Sequence, residues 1–133
     1  MLLTFSKDSF VNSIINGIKI HSIREDKYCR WKVGMKIHFW RGNPRNIKQN
    51  PYQFGETICN RIDDIDINYV NLTSPKVCLS TDTGLIILKE INLLNAFAQN
   101  DGFENWEEMK DFFPDLFIGK IIYWNNFKEI KRT

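Results

Sequence analysis

Gly17-Ile18-Lys19-Ile20-His21-Ser22-Ile23-Arg24 is the stretch on which the fold turns. Its isoleucines favour extended backbone, and a β-branched run of this kind reads as core strand over Ile18 to Arg24. Yet a lysine, a hydroxyl and an arginine interrupt the run. Polar groups delivered together by a buried-looking strand point to a site rather than to a solvated face. Lys19 and Ser22 stand three residues apart, so a regular strand turns them to opposite faces. A shared site requires a bulge, or a strand that begins only after Lys19.

Working outward, Leu2 to Phe5 reads as a short strand. Ser6 has the chemistry to cap a helix over Lys7 to Asn16, with Phe10, Val11, Ile14 and Ile15 at helical spacing and Gly17 as the stop. A polar turn through Asp26 leads by way of Trp31 to Gly34 into a strand over Met35 to Trp40, where Met35, Ile37 and Phe39 alternate with polar positions. Arg41 to Gln53 is rich in Asn, Pro and charge and too long for a hairpin, which makes it a binding or lid element or, equally, a floppy insertion. Glu56 to Leu72 carries a long strand pattern with Ile58, Ile62, Ile65, Ile67 and Val70 as its apolar set and a bend at Asp63-Asp64. Val77 to Leu79 and Leu85 to Leu88 are short strands joined by the turn-prone Ser80 to Gly84.

The last third changes character. Glu90 to Gln99 is a short helix with Leu93, Leu94 and Phe97 inward, ended by Asn100-Asp101-Gly102. Asn105 and Glu108 make a capping-box pair for a helix through Phe113 that Pro114 terminates, and Ile118 to Trp124 returns as a strand in which Trp124, like Trp106, is core. Short strands with helices at both ends predict an α+β fold: one domain over residues 1–133, a small and mostly antiparallel β-barrel with flanking short helices.

Composition sets the bounds. At 133 residues with 43% apolar and 14% aromatic content, the chain buries a core without staples. No apolar run reaches the ~20 residues of a membrane span, and Met1 to Phe5 is too short for a signal sequence, so a cytoplasmic protein with no membrane partner is expected. Cys29, Cys59 and Cys78 are odd in number and far apart, which predicts buried thiols rather than a disulfide framework; no metal and no cofactor are expected. The net charge of +2 conceals segregation: ten Lys/Arg against three Asp/Glu through residue 55, four against twelve from 56 to 115, four against one thereafter. Between Lys27 and Gly55 there is no acid, and Arg41, Arg45 and Lys48 are interleaved with Trp31, Trp40 and other rings. Cations beside stacking rings are what single-stranded nucleic acid requires; equally, strand alternation buries the rings and leaves the cations on a solvated face compensated by the acidic half.

Four motifs in order carry a resemblance: Gly17-x-Lys19-x-x-Ser22-Ile23-Arg24, Trp31-x-x-Gly34-x-x-Ile37, Asp101-Gly102-Phe103-x-x-Trp106-Glu107-Glu108-Met109, and Phe117-x-Gly119-x-Ile121-Ile122-x-Trp124. Together they resemble the ASCH domain, a branch of the PUA-like barrels. The resemblance implies a PUA-like β-barrel whose cleft, lined by the first motif, accepts RNA, a nucleotide or a modified nucleoside. Some similar proteins hydrolyse N4-acetylcytidine with a lysine, a threonine and a glutamate. Carried over, these become Lys19, Ser22 and Asp101, with serine keeping the hydroxyl and aspartate one methylene shorter.

The residues constrain each role. Lys19 serves as a base only if its pKa falls from about 10.4 towards 7 to 8, and otherwise holds a phosphate or an oxyanion. His21 donates to a substrate carbonyl or is a hydrogen-bonded structural residue. Arg24 grips a phosphate or base, or pairs with Glu25, Asp26 or Glu90. Trp31 and Trp40 flank the basic stretch and stack a base, or Trp31 instead plugs one barrel end. Arg41, Arg45 and Lys48 form a phosphate-contacting loop. Three functions follow: binding of RNA or a modified nucleoside, hydrolysis of an N4-acylated cytosine or of RNA, and an inhibitor-like scaffold presenting acids such as Asp63, Asp64 and Asp66 to a basic partner.

Overall fold

The structure, a computed structural model, describes residues 1–131. Its strands are β1 (Leu2–Phe5), β2 (His21–Arg24), β3 (Lys36–Arg41), β4 (Tyr52–Asn68), β5 (Lys76–Thr81), β6 (Gly84–Leu88) and β7 (Leu116–Glu129). Its helices are α1 (Asp8–Ile15), α2 (Ile91–Asn100) and α3 (Trp106–Phe112), with a short 3-10 turn at Ile47–Gln49.

The spine is the antiparallel pair β4 and β7, in register from Gly55 opposite Glu129 to Asn68 opposite Leu116. The 17 residues of β4 are enough to carry β3 along the start of its other edge and β5 along the end. β1 adds to β3 in parallel, β6 to β5 and β2 to β7. The architecture is mixed α+β, as the sequence predicts, and the sheet does not close, because β1 and β2 are end strands that do not pair with each other.

The core is aromatic. Phe39 packs edge-on against Trp124 at 4.9 Å and Phe127 at 5.1 Å, and Phe5 and Phe54 complete the cluster. Such pairs contribute stability beyond their area. Trp106 and Trp124 are buried as expected. Among the described residues no helix is long and apolar enough to cross a membrane.

Several expectations are corrected. The strand expected over Ile18 to Arg24 is only four residues long, starting at His21, because the backbone amides of Ile18 and Lys19 are spent on the carbonyl of Ser13 at the end of α1. Lys7, not Ser6, is the N-cap of α1, and its side chain makes no capping bond. In β4 the irregularities fall between Glu56 and Ile58 and between Cys59 and Arg61, not at Asp63-Asp64; Ile58 faces out and Thr57, Cys59 and Asp63 face in. Val70 lies beyond that strand and is exposed. On α2, Leu93 points outward and Ala98 takes the inward place. Of the thiols, Cys59 is buried but Cys29 is exposed.

Candidate functional site

The shortened β2 solves the geometry of the Gly17–Arg24 stretch. Gly17, at φ +76°, turns the chain out of α1, and the Ile20 amide donates to the carbonyl of Asn100 at 3.0 Å, tying this irregular segment to the end of α2. Lys19 therefore precedes the strand rather than lying in it. Freed from alternation, it lines the same cavity as Ser22.

That cavity, of about 100 Å³, lies between β1 and β2 in the seam the sheet leaves open. The polar part of its lining includes Lys19, Ser22, Arg24 and Asp101. Its walls are Phe5, Phe10, Phe103, Phe112 and Phe113. Sequence reasoning assigned none of these rings to a site. They are half of the ten phenylalanines, drawn from beside α1, the Asp-Gly-Phe turn and the end of α3, and each fits a helix, strand or cap pattern in its own segment.

Lys19, His21 and Asp101 meet. The Lys19 amine donates to the carbonyl of His21 at 2.8 Å, the carbonyl of Asp101 at 2.6 Å and Asp101 Oδ1 at 3.1 Å. His21 Nδ1 lies 2.9 Å from the same carboxylate oxygen. The ring stacks on Phe97 at 5.2 Å and meets Tyr123 edge-on at 5.4 Å. His21 is thus behind Asp101 rather than in the cavity wall, and its role is to hold the carboxylate.

The three neighbours of the Lys19 nitrogen are all acceptors, which calls for three N–H donors and so for the ammonium form. A neutral amine would aim its lone pair at an oxygen. Burial pulls the Lys19 pKa below its ordinary value, Asp101 opposes that pull by charge and hydrogen bond, and Arg24 adds to it. The position of Asp101 at the C-terminus of α2 adds the partial negative charge of a helix end.

Arg24 pairs with none of the acids expected. Its Nη2 donates to the carbonyl of Thr4 at 3.1 Å, bridging the open seam, and its guanidinium sits 5.1 Å from the Phe5 centroid. Its Nε is buried without a hydrogen-bond partner among the described residues, and burial pulls the guanidinium pKa below its ordinary value. By formal charge, Lys19 and Arg24 against the Asp101 carboxylate leave the cavity lining at +1. Its chemistry suits an anion or an acceptor-rich ring.

The basic loop is more ordered than a floppy insertion. Asn43 and Gln49 close it, Asn46 caps its 3-10 turn, and Arg41 Nε is held by Asp8 at 2.8 Å. Arg45 and Lys48 are exposed. A second hollow of about 240 Å³, lined by Gly42, Asn43 and Gln49, shares Thr4, Phe5 and Ser6 with the main cavity, so the loop forms its outer rim. Trp31 is 8% exposed and belongs to the core, offering no stacking face. Trp40 is half-buried beside Thr4, outside the cavity lining. No family model matches the chain, and neither a curated protein nor a solved structure matches it.

Proposed function

We propose that this is an ASCH-type, PUA-like protein whose cleft binds RNA or a modified nucleoside, with one planar ring entering the cavity between β1 and β2. The observation that carries this reading is the buried, unpartnered Nε–H of Arg24 in the wall of a phenylalanine-lined cavity. A buried donor left unpaired costs about 1–3 kcal/mol, which an acceptor on a ligand recovers. Phenylalanine faces accept any base by stacking, and the rim is formed by Gly42, Asn43 and Gln49 of the loop that also carries Arg45 and Lys48, cations that suit phosphates. Calorimetric titration with cytidine, N4-acetylcytidine and a short single-stranded RNA at two salt concentrations tests it. Saturable binding by at least one of them is expected; no heat from all three overturns the reading.

A second reading, hydrolysis of an N4-acylated cytosine, is favoured by one observation: the Ser22 hydroxyl lines the same cavity and makes no hydrogen bond among the described residues. It requires Lys19 to release both a proton and an acceptor before it can activate the hydroxyl. Product formed from N4-acetylcytidine by the native chain but not by Ser22→Ala supports it. Equal, background conversion by both removes it.

A further inference from the structure

A hollow larger than the cleft lies elsewhere. About 530 Å³ of open space lies over the loop from β4 to β5, lined by Asn68, Val70, Asn71, Thr73, Ser74, Pro75, Lys76 and Lys89. Lys76 and Lys89 flank the pair Val77 and Leu88 on neighbouring strands, which brings two like charges side by side. They stand in the acidic part of the chain, where the other two cations are matched, Arg61 by Asp63 and Lys110 by Glu107. Neither Lys76 nor Lys89 has an acid within ion-pairing distance among the described residues, and no acid lines the hollow.

The polar groups beside them are sorted by kind. Asn68 Oδ1 accepts from the Val70 amide at 3.1 Å; Asn71 Oδ1 accepts from the Thr73 amide at 3.1 Å and the Thr73 hydroxyl at 2.7 Å. With both amide oxygens engaged inside the loop, each asparagine is left with its NH₂ group as the donor it can offer outward. The hollow therefore presents two ammonium groups and two amide donors, with its side-chain amide acceptors already used. Ammonium and amide donors gathered together, with no carboxylate in the lining, are the chemistry of an oxyanion site.

We propose that this hollow binds a phosphate-type oxyanion through Lys76, Lys89, Asn68 and Asn71. It is distinct from the cleft at Lys19 and Arg24 and does not depend on that assignment. Inorganic phosphate and the phosphodiester of a single-stranded RNA share the chemistry, and two arms separate them. In the first, inorganic phosphate is titrated into the ¹⁵N-labelled protein, and saturable amide shifts at Asn71, Thr73 and Lys76 are expected. These shifts vanish in Lys76→Met/Lys89→Met and in Asn71→Asp, which keeps the loop's acceptor while replacing the outward donor with a charge of the wrong sign. In the second, the slope of log affinity for RNA against log salt is measured with and without the two lysines. A slope reduced by about 0.7 assigns the site to one RNA phosphate, and an unchanged slope with phosphate shifts present assigns it to a free phosphate group. Absence of saturable shifts together with an unchanged slope overturns the proposal. So do shifts that persist in both variants.

Discussion

Gly102 lies so close to the stem of Lys19 that a β-carbon at residue 102 would stand 2.9 Å from Lys19 Cδ, and equally close to a ring carbon of Phe10. The glycine also holds φ at +93°, where side-chain-bearing residues are strained. Gly102→Ala is expected to destabilise the fold by about 1–3 kcal/mol from the backbone alone, with a further loss from the contact. Gly84→Ala supplies the control: φ there is +132°, but no atom lies within 4 Å of the added carbon. Chemical denaturation should rank Gly102→Ala clearly below Gly84→Ala; equal midpoints would show that the Lys19 stem gives way freely.

Lys19 and Asp101 are both almost fully buried, at 3% exposure each. Removing one member of a buried pair strands the other's charge, at a cost of about 3–5 kcal/mol. Lys19→Met is expected in that range. Lys19→Met/Asp101→Asn is expected to lose much less than the two single changes together, since the double variant leaves no orphan charge. A denaturation cycle checks this, and additive losses would deny the coupling.

Two groups give alkaline stability opposite signs. Lys19 has its pKa lowered on folding by burial, so the folded state binds this proton less tightly than the unfolded chain does; stability rises as pH climbs towards the ordinary 10.5. Tyr123 is pushed up to about 12 by burial and then by the charge of Asp63. Its folded form keeps the proton that the unfolded chain releases near 10, so this contribution is present below 10 and lost as pH rises through about 12. Differential denaturation against pH should show the first trend flattened in Lys19→Met and the second removed in Tyr123→Phe.

For the cleft, Arg24→Lys keeps a cation but removes Nε and the fixed fork that reaches the carbonyl of Thr4. Loss of a hydrogen bond to a charged group weakens binding by about 1.5–3 kcal/mol, tenfold or more in affinity. Nucleoside titration of Arg24→Lys should show that loss with the circular dichroism spectrum unchanged. Undiminished affinity would place the ring elsewhere.

The strand β6 is an edge in which Leu85, Ile86 and Ile87 are exposed, with neither proline nor charge within its five residues to blunt it. Ile87→Lys is expected to raise the concentration at which light scattering sets in while leaving the thermal midpoint within about 0.5 kcal/mol of native stability. A collapse of the midpoint would mean that Ile87 contributes to the core after all.

Periodicity made most of the elements legible. Ile37 and Phe39 alternate inward as the pattern requires, Asn105 accepts from the Glu108 amide, and Gly17 and Gly102 end their helices at positive φ. Lys19, His21 and Asp101 meet although some 80 residues separate the carboxylate from the rest. The misses have a common cause. Ile18 and Ile20 carry strand propensity but face solvent, because hydrogen bonds to Ser13 and Asn100 hold that segment irregular, and a tertiary bond of this kind leaves no trace in local pattern. The phenylalanine walls were hidden for the same reason. Rings such as Phe10 and Phe113 satisfy helix and cap patterns in their own segments, and only the seam between β1 and β2 gives them a cavity to share.

That seam makes the width of the cleft a side-chain property. Strands joined by a ladder move as one elastic body, and a pocket within a ladder widens only by breaking several bonds in register. Between β1 and β2 the Arg24 guanidinium donates to Thr4 across the gap, and loosening that bond costs about 1.5–3 kcal/mol. The aperture can thus adapt to ligands of different girth, or be retuned by substitution at residue 24, while the strand registers that define the fold stay as they are.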